Sequence, residues 1–220
     1  MGERVKEKLV HGFGINDADY PVSTYEMVDG KTRQKICPFY SRWKDILRRT
    51  KSTSYFKYRP NYEEVGMQES WKRFSNFKKW MENQKWEGLY LDKDILSSEE
   101  KLYSESTCAF VPIYINNLIL DGGKESNLPI GVTSDKRYPN AKLPYRAQLN
   151  KAGKKILGGF YKTAEEAHRA WQILKANYIE ETIARYSLEG CFRTDVAEVL
   201  TKMVWDLRVD AAKGVETKSL

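Results

Sequence analysis

Between Leu143 and Tyr178 the side-chain pattern changes period, and few folds accommodate that change. Leu143-Pro-Tyr-Arg-Ala-Gln-Leu149 alternates apolar and polar residues with the period of two that a half-buried strand requires. Asn150-Lys-Ala-Gly153 supplies turn chemistry, and Lys154-Lys-Ile-Leu-Gly158 reads as the returning strand. Ile130-Gly-Val-Thr-Ser134 reads as a further short strand upstream. Thr163 then stands three residues before Glu166, the spacing of a capping box, so a helix is expected to start there. Ala167, Ala170, Trp171, Leu174 and Tyr178 fall on one face of that helix. Its small alanines let it lie close on the apolar side of a three-stranded antiparallel sheet, which leaves the other side free.

Residues 121–129 (Asp-Gly-Gly-Lys-Glu-Ser-Asn-Leu-Pro) have linker composition and divide the chain. The expected organisation is a lead segment over 1–36, a module over 37–120, the linker, a second module over 130–186, and a C-terminal helix and tail over 187–220. Turn signals mark the lead at Asn16-Asp17 and Asp29-Gly30. In the middle module Tyr40, Trp43, Ile46 and Leu47 fall at helical spacing, and Trp71, Phe74, Phe77, Lys78, Trp80 and Met81 predict a second helix. These aromatics read as core. Val196, Val199, Leu200, Met203, Val204 and Leu207 predict a helix over Asp195–Val209, followed by a frayed tail. The fold class is α+β.

Charge narrows the partner. The net charge of +7 on 220 residues favours a polyanion, although solvated lysines alone give the same figure. With 41% hydrophobic residues the chain has material for a core. It contains no run of eighteen apolar residues, and Met1–Lys8 lacks the apolar stretch of a signal peptide. Cys37, Cys108 and Cys191 form no CxxC pair, so neither a disulfide framework nor a zinc ribbon is expected, and a reducing cytosol fits. Along the middle strand Leu143, Tyr145, Ala147 and Leu149 alternate with Pro144, Arg146 and Gln148. Lys136, Arg137, Lys151, Lys154 and Lys155 gather around that sheet. A sheet face can enter a major groove, where Arg pairs with guanine and Gln with adenine while lysines hold phosphates. The expected partner is double-stranded DNA.

Gly131-Val132, Tyr145-Arg-Ala-Gln-Leu149, Leu157-Gly-Gly-Phe160 and Thr163-Ala-Glu-Glu-Ala-His-Arg-Ala-Trp171 together resemble the AP2/ERF-type DNA-binding domain. The resemblance covers residues 130–180. It implies three strands packed on a helix, DNA read by the sheet, and contacts from Arg137, Tyr145, Arg146, Gln148, Lys154 and Lys155. Tyr145 stands where the family commonly has Trp, and the Tyr138-Pro-Asn-Ala-Lys142 loop is extended.

A second resemblance lies upstream. Leu91-Asp92-Lys93-Asp94-Ile95, Tyr103-Ser-Glu-Ser-Thr-Cys-Ala-Phe-Val-Pro112 and Ile115-Asn116-Asn117 resemble the HNH-related, ββα-metal module of phage and mobile-intron homing endonucleases. Tyr40-x-x-Trp43 and Trp71-x-x-Phe74-x-x-Phe77 resemble phage members as well. The resemblance implies a homing or nicking endonuclease, acting in the cytoplasm of an infected bacterium, that hydrolyses a phosphodiester at a site chosen by the AP2-like domain. It implies a catalytic set of Asp92, Lys93 and Asn116. A magnesium or manganese ion would be held by Asp92, Asp94, Asn116 and Asn117, with Glu99 and Glu100 as further carboxylates. Lys93 occupies the position of the general-base histidine, and Thr107 that of the orienting Asn. Neither His11 nor His168 falls in this stretch. A lysine of ordinary pKa is protonated at neutral pH and serves as a base only when strongly desolvated or beside a metal. Three functions therefore stand side by side: metal-dependent cleavage; sequence-specific, regulatory DNA binding on a degenerate nuclease scaffold; and a protein-binding role, for which the sequence offers only exposed aromatics. Asp92 and Asp94 also have a plainer reading, flanking a turn or pairing with nearby lysines.

Overall fold

The computed structural model describes residues 9–97, 100–118, 127–134 and 141–220. The chain is mixed α+β, with six α-helices and four small sheets among the described residues. It divides into two compact units whose boundary in sequence falls between Phe110 and Val111.

The first unit opens with a hairpin of β1 (Ser23–Val28) and β2 (Lys31–Ile36), antiparallel across Asp29 and Gly30. Helix α1 (Pro38–Lys51) follows, with proline in its first turn, where a missing N–H removes no helical bond. After α2 (Thr53–Tyr58) come β3 (Gly66–Met67), α3 (Phe74–Glu82), β4 (Tyr90–Asp92), β5 (Leu102–Tyr103) and β6 (Ala109–Val111). Strand β3 runs parallel to β5, and β4 pairs with β6. The core is aromatic, as the spacing predicts: Trp43, Trp71, Phe74, Phe77 and Phe110 are all buried. Trp71 and Phe77 meet edge to face at 5.0 Å, and the Trp43 indole N–H donates to the Trp71 carbonyl at 2.7 Å.

The second helix starts later than the periodicity predicts. Trp71 lies in a 3-10 turn (Glu69–Lys72), and extended Arg73 separates that turn from α3. The backbone there is used elsewhere: Ile15 N–H donates to the Lys72 carbonyl, and Phe74 N–H donates to the Ile15 carbonyl. A continuous helix would leave Ile15 without these partners.

The second unit contains α4 (Ile113–Asn116), β7 (Val132–Ser134), β8 (Tyr145–Lys151), β9 (Lys154–Tyr161), α5 (Ala164–Tyr186) and α6 (Thr194–Lys213). The sheet has the order β7-β8-β9 and is antiparallel throughout. The capping box forms: Glu166 N–H donates to Thr163 Oγ1, and Thr163 N–H donates to a Glu166 carboxylate oxygen, both at 3.2 Å. Both the sheet and α6 pack on α5, burying Ala167, Trp171, Ala176 and Ile179. Helix α6 buries Val196, Leu200, Val204 and Leu207 of the predicted stripe.

Two boundaries differ from expectation. Segment 111–118, read as the end of the middle module, belongs to the second unit, so the boundary falls before the last residue of β6. Buried Lys175 of α5 donates to the Leu118 carbonyl at 2.6 Å, and the Arg185 guanidinium covers the Tyr114 ring at 3.8 Å. Residues 121–126 of the expected linker lie outside the described residues. The tail is not frayed either: Thr217 is buried, accepting from Gln172 at 2.9 Å and donating its N–H to His168 Nε2 at 3.0 Å.

The β8–β9 turn is a two-residue loop in which Ala152 and Gly153 both have positive φ, 49° and 81°. Such turns match the twist of the flanking strands and favour Asn-Gly. Alanine bears the left-handed cost that asparagine largely avoids, so Ala152→Asn is expected to stabilise the unit by about 0.5–1 kcal/mol. Thermal unfolding checks this, and a lower melting temperature would contradict it.

Candidate nucleic-acid interface

Register and burial decide which side of β8 faces outward. Ala147 and Leu149 are buried toward α5, so Arg146, Gln148 and Asn150 alternate to the opposite face. Thr133 and Phe160 flank Arg146, Leu157 pairs with Gln148, and Lys155 pairs with Asn150. Strand β9 carries one extra residue here, since Ala147 opposes Gly159 whereas Gln148 opposes Leu157. This bulge turns Leu157 and Phe160, 54% and 51% exposed, to the same face although they lie three apart in sequence.

Arg146 and Gln148 therefore stand side by side on an open face, about 6–7 Å apart along the strand. Arg146 has no ion pair or hydrogen bond with any described residue, and its buried Nε lacks a partner, as does Thr133 Oγ1 beside it. Unpartnered buried polar atoms are costly, so this stretch of the sheet is held in place by packing rather than by polar pairing of Arg146 and Thr133. The arrangement offers a fork of donors, an amide, a lysine at one end, and apolar Leu157 and Phe160 for thymine methyl groups.

The remaining expected contacts divide. Lys155 lies on this face, whereas Tyr145, Lys151 and Lys154 occupy positions that alternate to the α5 side. Lys151 is ion-paired with Glu181 of α5, and its ammonium lies 5.2 Å from the Tyr178 ring centroid. Lys136 and Arg137 lie outside the described residues. Sequence reasoning missed Asn150, Leu157 and Phe160. Alternation from Arg146 gives Asn150, but the bulge hides the two apolar residues.

In the first unit Asp92 closes β4 and is buried. Its Oδ1 accepts from Asp94 N–H at 2.7 Å and Ile95 N–H at 2.9 Å, which folds the chain into a turn. Burial pushes the Asp92 carboxyl above its usual range. The two backbone hydrogen bonds pull it down, Asp94 pushes it up, and Lys93 pulls it down. Lys93 is buried and ion-paired with Asp94. Both residues line a cleft of about 530 Å³ with Tyr62, Glu63, Glu64 and Lys101, where Lys101 pairs with Glu64. Thr107, at the position expected of an orienting Asn, is buried as a turn clamp: Oγ1 donates to the Leu102 carbonyl at 2.6 Å and accepts from Ser104 N–H at 3.1 Å.

As folded, Asp92 and Asp94 do not offer a divalent ion two free carboxylates. One oxygen of Asp92 is committed to the turn, and the Lys93 ammonium neutralises Asp94. Asn116 is the last residue of α4 and Asn117 its C-cap, and Glu99 lies outside the described residues. Among the described residues no group of three or more His, Cys, Asp and Glu side chains is placed to hold a metal.

Cys108 and His168 are taken up by the fold. Burial pushes the Cys108 thiol up to about 12. His168 uses Nε2 on Thr217 and Nδ1 on the Ile130 carbonyl at 2.8 Å, so the ring serves as a clasp between segments. His11 sits in a turn at positive φ; burial first, then the charges of Lys44 and Arg48, hold it below its ordinary pKa. Among the described residues no helix is long and apolar enough to cross a membrane. Comparison with protein-family models, with curated proteins and with solved structures finds no match.

Proposed function

We propose that the chain binds double-stranded DNA and selects its site with the outer face of the second unit's sheet, without cutting the strand. The observation that carries this reading is the adjacent placement of Arg146 and Gln148 on an open face, with the Arg146 guanidinium uncommitted to any described residue. Arg146 takes guanine O6 and N7, Gln148 takes adenine, and Lys155 holds a phosphate. The net charge of +7 supplies the sequence-independent attraction. The middle stretch serves as a scaffold of HNH-like, ββα-metal descent. The pairing of β4 with β6 supports that origin, and the turn role of Asp92 supports the loss of cleavage. Metal-dependent cleavage with magnesium or manganese is the second reading, favoured by the cleft beside Lys93 and Asp94.

The test is binding at stated salt to a duplex selected by the wild-type chain from a random pool, and to its single-base variants. Arg146→Ala is expected to lose about 1–3 kcal/mol of discrimination at one base pair. Lys155→Ala is expected to weaken all sequences alike and to make the salt dependence shallower by about 0.9. Unchanged base preference in Arg146→Ala would overturn the sheet-readout reading.

A further inference from the structure

The β1–β2 hairpin lacks the support that a two-stranded ribbon needs. Isolated hairpins are marginal in water, and stable ones lay one face on a core. No residue of either strand is buried here, and Tyr25 and Met27 are 71% and 69% exposed. The base is anchored: Cys37 N–H donates to the Val22 carbonyl at 2.9 Å, and both residues pack against the first unit's core. Beyond that base two arms of six residues project, each about 20 Å long. Asp29 and Gly30, at φ 50° and 72°, close them in a turn that matches ribbon twist.

Charge is sorted between the ribbon's faces. The register places Lys31, Arg33 and Lys35 on one face with Thr24, Glu26 and Val28, and Tyr25, Met27, Thr32 and Gln34 on the other. Glu26, directly across from Arg33, lies 3.9 Å from the Lys35 ammonium, whereas Lys31 and Arg33 have no ion pair with a described residue. A B-form major groove admits a two-stranded ribbon of this width.

We propose that the β1–β2 ribbon is a second duplex-binding element, inserting its Lys31-Arg33-Lys35 face into a major groove. This rests on DNA being the ligand of the sheet. Lys31 and Lys35, at the two ends of the strand, hold phosphates. The central pair, Arg33 and Glu26, matches one G·C pair: Arg33 donates to guanine O6 and N7, and Glu26 accepts from the cytosine amino group. A second copy of the chain is the competing occupant. Pairing two ribbons along their β2 edges would set Lys31, Arg33 and Lys35 against like charges, which disfavours that arrangement.

The full-length chain carrying Lys31→Ala, Arg33→Ala and Lys35→Ala tests this on the selected duplex, read by guanine N7 methylation protection and by salt dependence. The expected result is loss of one protected patch and a salt slope shallower by about 2–3, with the base preference set by Arg146 intact as evidence of folding. Arg33→Lys alone should keep most of the slope and lose protection at its guanine. Unchanged protection and slope in the triple variant would overturn the inference while leaving sheet readout standing. A wild-type dimer that the triple variant dissociates would assign the ribbon to self-association and overturn it too. A wild-type chain that binds no duplex at low salt would instead remove the proposed function, and this inference with it.

Discussion

Gly131→Ala is expected to unfold the second unit well below the temperature at which the wild type melts. Gly131 has φ +76°, and a Cβ there would lie 2.0 Å from Trp171 Cδ1 and 2.1 Å from Cγ. The left-handed backbone costs alanine about 1–2 kcal/mol. Displacing a packed indole adds about 1–3 kcal/mol. A combined loss of about 2–5 kcal/mol is a large part of what holds a domain folded. Trp171 cannot swing freely, since it is buried and stacked on the clasped His168 ring at 5.4 Å. The damage also reaches the outer face of the sheet, because Gln148 N–H donates to the Gly131 carbonyl at 2.8 Å. Urea or thermal unfolding measures the loss, and Trp171→Leu on the same background should recover part of it. An unchanged melting temperature for Gly131→Ala would contradict this packing.

The second large effect separates the roles of Asp92. Asp92→Ala leaves the Asp94 and Ile95 N–H groups without their acceptor beside a buried Ile95, an expected cost of about 2–4 kcal/mol. Asp92→Asn keeps the acceptor oxygen and removes the charge. Burial raises the folded pKa of Asp92, so the folded chain binds this proton more tightly than the unfolded chain. Its contribution is therefore most favourable below the unfolded pKa, declines as pH rises to the folded value, and is flat above it. Asp92→Asn should match or exceed wild-type stability at neutral pH and lack that decline. The same pair tests cleavage on supercoiled plasmid with magnesium or manganese. No nicking by either wild type or Asp92→Asn is the expected result. Nicking by wild type alone would replace the proposed function with the cleavage reading.

The second unit was legible because its signals are local. A period-two strand, a two-residue turn and a capping box each act within a few residues, and together they place β8, β9 and α5. The outward placement of Arg146 follows from the burial of Ala147 and Leu149, which the alternation alone left open. What stayed hidden is non-local. The break at Arg73 depends on Ile15, nearly sixty residues earlier in the chain. The commitment of Lys151 depends on Glu181, and the holding of the tail depends on His168 and Gln172. In the first unit, Asp92 sits in a short Asp-Lys-Asp run that reads equally as ligands or as a turn. The hydrogen bonds to Asp94 and Ile95 show it acting as the turn.

The extra residue in β9 has a consequence for how this gene can vary. Elsewhere in that strand, an in-frame loss or gain of one codon would rotate everything beyond it, carrying Lys155 and Leu157 onto α5 and Ile156 into the open. At Gly158 the ladder already holds two residues against one. Removing that codon would restore plain alternation and leave Phe160, Leu157 and Lys155 on the side they occupy now. The outer face of this sheet thus has a point where one residue can be lost while the side chains presented there keep their sides.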